Sequence, residues 1–419
     1  MATAFPLQTV STSHLRALCR LLWDWQLCDN CQNPTNNRWQ CQTTGCQWEE
    51  KTAYGRLELF FDLYRDLTRA YVPDFFGDED QALRGHQDLF DIMLLLKTHS
   101  EALTRDECKT AYFAHRGTKG GSSISSADQD RAFDLASMVM TMTTVGSLES
   151  QSPVHNSSDD ESGQIFLDPH WKSDQSLSTA LSDLFPMRIH PSLQGSSAQA
   201  ERVKAGLTAA NLMRIAGLRM EGTSDLKNHL SLDQATGVVH IFHMTTVLKE
   251  HLLASKLVSD KDDQPRENRT DNDEENVDAN HACLPRHIAL ETLYTIQLLF
   301  QQDDKSRALH RNLVSKHGFD PDSLRFGTVP YERPGEKDSA LRFPIWGSRL
   351  MDLYDEIENP KPRGMMDAWL ERRSKSRHVM LATIAGVIAA VILGTLTLFV
   401  SIFQTWISWQ QWKSQDNSA

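Results

Sequence analysis

The 419 residues, 40% hydrophobic and 23% charged, carry enough apolar material for sizeable cores, and the length suggests two or three folded units. A formal net charge of −12, with basic residues clustered only beside a C-terminal apolar run, argues against nucleic acid as a partner. The first 26 residues lack a charged n-region followed by an apolar h-region, because Arg16, Arg20 and Asp24 interrupt the apolar patch, so no signal peptide is expected.

Residues 1–55 form a Cys/Trp-rich segment. After Cys19 come Cys28, Cys31, Cys41 and Cys46, set among Trp23, Trp25, Trp39 and Trp48. Four thiolates in two pairs are the donor set of a tetrahedral zinc site; the first pair has knuckle spacing, and the loop between the pairs is long enough to fold back. His14 or Cys19 is a candidate substitute ligand. The second pair is wider than CxxC, which leaves open a set of reduced cysteines in a polar loop beside a small aromatic core.

Residues 56–146 read as a helical domain. Leu57, Phe60, Leu63, Leu67 and Tyr71 recur at three- and four-residue steps until Pro73, and a second amphipathic run spans 87–103. Thr104 reads as an N-cap with Glu107 as its capping-box partner. The Gly/Ser-rich stretch 117–128 lacks the GxxxxGK[ST] of a phosphate cradle and reads as a flexible linker before a helix over 129–142. Residues 147–165 read as a disordered linker, where Ser157 and Ser158 precede Asp159, Asp160 and Glu161 in a context that suits an acid-directed kinase.

Residues 166–258 read as a second helical domain, with helices over 176–185, 197–215 and 245–257. A β-hairpin is expected from 230–232 through a turn at 233–237 to 238–242, giving a winged-helix-like order without a basic recognition face and therefore a protein-binding module. His229, His240 and His243 gather around that hairpin as a second, weaker metal-ligand set. The acidic stretch 259–282 reads as disordered, and residues 283–378 as a helical membrane-proximal region with helices over 285–302, 305–317 and 348–358 and another from about 364.

Residues 379–403 contain no charge and read as a transmembrane helix, followed by a short Trp-rich tail over 404–419. At about 1.5 Å per residue this run is roughly 37 Å long, against a hydrocarbon core of about 30 Å. Arg372, Arg373, Lys375 and Arg377 precede the span and only Lys413 follows it, which by the positive-inside rule places the N-terminal part in the cytosol. Trp406, Trp409 and Trp412 share a helical face at the far headgroup level. Tail anchoring and reduced cysteines follow from this reading, and the sequons at Asn156 and Asn268 are expected to stay unglycosylated. Within the span, Ala382, Gly386, Ala390 and Gly394 form a stripe of small residues of the kind that lets a second copy approach, an expected homodimer contact. Gly and Ala are also common in spans for no such reason.

The blocks RAFDLA (131–136), WKSDQS (171–176), LFPMRIHPSL (184–193), the stretch 222–243, LPRHIALE (284–291), 346–364 and 369–388 resemble a family of uncharacterised fungal proteins that end in a single membrane span. The resemblance covers about 56–413, implies the same architecture, brings no activity or cofactor with it, and leaves the cysteine cluster outside. The expected fold class is mainly α: helical cytosolic domains with one short β-hairpin, then a single C-terminal transmembrane helix. There is no GxSxG, HExxH, GxGxxG or Walker A motif. The expected function is therefore a membrane-tethered scaffold that recruits cytosolic protein partners, the alternative being a membrane-associated zinc enzyme.

Overall fold

The computed structural model describes residues 6–28, 31, 46–48, 53–73, 80–114, 124–145, 171–193, 198–262, 283–325, 337, 340–361 and 377–416. Residues 147–165, most of 259–282, Cys41, Arg372, Arg373 and Lys375 lie outside the described residues. The chain divides into two units, Met1–Pro360 and Lys361–Ala419.

The first unit opens with α1 (Thr12–Trp23), which the sequence reading passed over. Its start is specified by a capping box in which Ser11 Oγ accepts the His14 N–H and the His14 ring accepts the Ser11 N–H. Leu15, Leu18, Cys19, Leu22 and Trp23 then fall on one buried face. Of the charges that break up its apolar pattern, Arg20 is exposed and Arg16 is buried with its guanidinium 5.4 Å from the centre of the Trp48 ring.

Helices α2 (Glu58–Ala70), α3 (His86–Thr98), α4 (Arg105–Phe113) and α5 (Ser126–Thr141) follow as the periodicity predicts, within a few residues at their ends. The capping box of α4 is formed as read: Glu107 N–H donates to Thr104 Oγ1 at 3.4 Å, and Thr104 N–H donates to Glu107 Oε2 at 2.8 Å. Thr104→Ala removes one half of it and lowers stability by about 1 kcal/mol, read as a lower urea midpoint at unchanged slope.

The expected helix over 197–215 is instead two, α7 (Ala198–Gly206) and α8 (Ala209–Arg214). Gly206 ends the first where a Cβ would stand 2.9 Å from the Tyr354 ring, and Thr208 caps the second by accepting the Asn211 N–H. Helix α6 (Leu177–Leu184) lies before them. The hairpin forms as expected, β2 (Leu232–Asp233) antiparallel to β3 (Val238–Phe242). A third strand, β1 (Arg219–Thr223), pairs parallel to β3 in register Arg219↔Val238 to Thr223↔Phe242, giving the order β1-β3-β2.

Helices α9 (Thr245–Asp262), α10 (Arg286–Gln301), α11 (Asp304–Lys316) and α12 (Gly347–Glu358) complete the unit. Among the described residues, α5, buried from Ala132 to Thr141 except Met138, α9, buried from Thr245 to Ala254 except Lys249 and Leu253, and α10, buried at every position from Ile288 to Ile296, are covered on more than one side. Helix α3 packs on α5 and α9 on α10, with α1 touching both α3 and α9. One hydrophobic core results, running from Leu7 to Leu353 across the polar stretches that separate the apolar blocks in sequence. Each fully buried Leu, Ile, Val or Phe contributes about 1.5–3 kcal/mol of transfer free energy.

The second unit is α13 (Arg377–Asp416), a single helix of 40 residues. Its stretch Thr383–Trp412 is long and apolar enough to cross a membrane. Each large apolar side chain named between Val387 and Phe403 is more than half exposed, so the helix is apolar around its whole circumference. The hydroxyls of Thr395, Thr397 and Thr405 donate back to the carbonyls of Val391, Leu393 and Ser401 at 3.0, 2.8 and 2.8 Å. These three threonines thus keep their donors inside the helix, as a hydrocarbon surrounding requires.

Candidate metal centre and membrane helix

The cysteine segment leaves α1 at Asp24, whose φ of 53° turns the chain sharply. The exit is pinned by Lys97 of α3, buried with its Nζ 2.9 Å from the Leu21 carbonyl and 3.0 Å from both Asp24 carboxylate oxygens. A cation at the C-terminal end of a helix also meets its partial negative charge. Beyond this turn Trp25 packs on Trp48 with ring centres 6.3 Å apart, and Trp25 Nε1–H donates to Glu250 of α9 at 3.2 Å. Trp48 in turn lies 5.9 Å from the Phe61 ring of α2.

Two short runs, around Cys28 and around Cys46, are brought side by side. Gln26 N–H donates to Gln47 Oε1 at 2.6 Å and Gln47 N–H to the Gln26 carbonyl at 3.3 Å. Cys31 N–H donates to the Cys28 carbonyl at 2.8 Å, a tight turn that brings the first pair together. The Sγ atoms of Cys28, Cys31 and Cys46 all lie within 4.8 Å of one another, and Cys28 N–H donates to Cys46 Sγ at 3.4 Å. None of the three is in a disulfide; Cys31 and Cys46 are buried and Cys28 half-buried. Three of the four thiols singled out by spacing therefore meet, and Cys41 lies outside the described residues.

The histidines do not make a second centre among the described residues. His229 is fully buried, with Nε2 2.7 Å from Thr295 Oγ1 and Nδ1 accepting the Phe242 N–H at 3.1 Å, so both ring nitrogens are engaged in holding β3 against α10. Burial holds its pKa well below the usual imidazole value, and the Arg349 charge pushes the same way. His243 points elsewhere, its ring 6.1 Å from Phe319. His14 belongs to the α1 cap with its ring 4.2 Å from that of His86, and it is not in the cysteine group.

Sequence reasoning missed the buried ionisable groups. Arg105 joins α4 to α5 through Asp134 at 2.7 Å and Asp130 at 3.1 Å, and Glu291 of α10 holds the entry to α12. In sequence each sits on an amphipathic helix, where a solvated face is the ordinary outcome, and no local signal marks either.

On α13, Gly386 and Gly394 have no heavy atom within 4 Å of where a Cβ would stand. The Gly394 face continues past Thr397, Ser401 and Thr405 to Trp406 and Trp409 in one shallow groove. The helix starts at Arg377 and includes Ala382, Ala390 and Trp412. No protein-family model, curated protein or solved structure matches this chain, so its function is argued from these side chains.

Proposed function

We propose that the protein is a membrane-tethered scaffold: the helical unit Met1–Pro360 is held at a membrane by α13, faces the cytosol and recruits protein partners there. The observation that carries this is an uncovered, all-round apolar helix with enough length to span a bilayer. Arg372, Arg373, Lys375 and Arg377 before the span against Lys413 after it support the orientation. The sequons at Asn156 and Asn268 give the test: in microsomes the full chain should resist carbonate extraction and show no mobility shift with N-glycosidase. A glycosidase shift would place the helical unit in the lumen and overturn the orientation, and extraction by carbonate would remove the span.

Two copies pair through the stripe Ala382, Gly386, Ala390 and Gly394 in this reading. Because the positions of Gly386 and Gly394 are open in the single chain, larger side chains there leave the helix itself intact. Gly386→Ile with Gly394→Ile should therefore abolish crosslinking between copies while membrane insertion is unchanged; crosslinking at wild-type yield refutes pairing through this stripe.

A further inference from the structure

We propose that Cys28, Cys31 and Cys46 hold one zinc ion in a closed structural site that fastens the segment after α1 to the helical core. In a tetrahedral zinc–thiolate site with bonds of about 2.3 Å, neighbouring sulfurs stand about 3.8 Å apart. The three Sγ atoms, all within 4.8 Å of one another, are already near that spacing. The turn that brings Cys31 N–H to the Cys28 carbonyl puts the first two sulfurs on one side, and the Gln26–Gln47 hydrogen bonds carry Cys46 to them.

Cys28 N–H donates to Cys46 Sγ, a bond that favours the thiolate over the thiol. Three thiolates brought together repel one another, and a divalent soft cation offsets that repulsion. The remaining described cysteines, Cys19, Cys108 and Cys283, are buried in the core and belong to no such group.

The surroundings assign the ion a structural role. Trp25, Leu27 and Trp48 are buried beside the sulfurs, and Cys31 and Cys46 are only 4% and 8% exposed. A catalytic zinc keeps an open position for water, whereas thiolate-rich closed sites contribute folding free energy. Tetrahedral coordination takes a fourth donor beside these three sulfurs, and Cys41 lies outside the described residues. By joining residues 28 and 46 the ion would hold Trp25 against Glu250 of α9 and Trp48 against Phe61 of α2.

The test uses the full chain purified in detergent without chelator. Elemental analysis should find about one zinc per chain. Removing it with a strong chelator should lower the thermal midpoint and expose Cys28, Cys31 and Cys46 together to alkylation, with readdition of zinc reversing both. Cys31→Ser with Cys46→Ser should lose the ion. If the serine variants fail to fold, the chelator and alkylation arm on the wild type still decides. Less than about a tenth of an equivalent of zinc with alkylation indifferent to chelator overturns the site. Iron in place of zinc overturns the metal. After cobalt substitution, a spectrum that shifts on adding azide would show an open coordination position and overturn the structural role.

Discussion

Arg105→Met should destabilise the helical unit by about 3–5 kcal/mol, the cost of leaving one member of a buried ion pair without its partner. The Arg105 guanidinium is 2.7 Å from Asp134 and 3.1 Å from Asp130, donates to the Trp171 carbonyl at 3.0 Å and lies 5.0 Å over the Trp171 ring. Both Arg105 and Asp134 are 5% exposed. One side chain therefore ties together α4, α5 and the segment that leads into α6. Burial pushes the Asp134 carboxyl above its ordinary pKa even with Arg105 opposing it, so in Arg105→Met it goes higher still.

An acid whose folded pKa is raised gives stability that is present at low pH and lost as pH rises through that pKa. The deficit of the variant should accordingly shrink toward acid pH. Arg105→Met with Asp134→Leu, which removes both charges, should recover part of the loss. Urea unfolding followed by tryptophan fluorescence measures all three, and a single variant within about 1 kcal/mol of the wild type would show that the pair contributes little.

Most helices were legible because three- and four-residue recurrence of apolar side chains is a local property that burial of one face enforces. Thr104 with Glu107 was legible because a capping box is written within four residues. What the sequence hid was tertiary. β1 has one buried residue, Met220, and is a strand because β3 lies alongside it. Gly206 ends α7 against Tyr354, 148 positions away, and nothing in its neighbourhood announces that ring. The α1 face was obscured by Arg16 and Arg20, of which the first is buried against Trp48. At the candidate metal site the spacing of Cys28, Cys31 and Cys46 named the donors, whereas the brace from Gln26 to Gln47 that brings them together depends on chain geometry. The opposite held for the histidines, whose proximity in sequence suggested a site while the fold set His229 and His243 against different partners.

Glu291 should make the stability of this protein fall as pH rises through the neutral range. Its carboxylate is 1% exposed, and Oε1 accepts the N–H groups of Ile345 and Trp346 at 2.8 and 2.7 Å, just where α12 begins and backbone donors lack helical partners. Trp346 is held further by its Nε1–H, which donates to Thr292 Oγ1 at 3.0 Å. Burial raises the Glu291 pKa from 4.5 to about 8, and the two N–H donors offset only part of that rise. Between those values the folded chain binds a proton that the unfolded chain has released, so stability is full below 4.5 and drains away toward pH 8.

Buried histidines act in the opposite sense. Burial takes His251 from 6.5 to about 3 and His310 from 6.5 to about 4, so they destabilise the fold as pH drops below 6.5. The Glu291 contribution is isolated by difference. In Glu291→Gln the amide oxygen still accepts both N–H bonds and carries no charge, so this variant should lack the alkaline loss and exceed the wild type above pH 8 by an amount on the order of a few kcal/mol. Glu291→Ala leaves two buried donors without an acceptor and should cost about 2–4 kcal/mol at every pH. Urea midpoints measured from pH 5 to 9 for the three proteins settle the point. Parallel curves for the wild type and Glu291→Gln would mean that Glu291 is ionised in the fold and that its two N–H bonds outweigh burial.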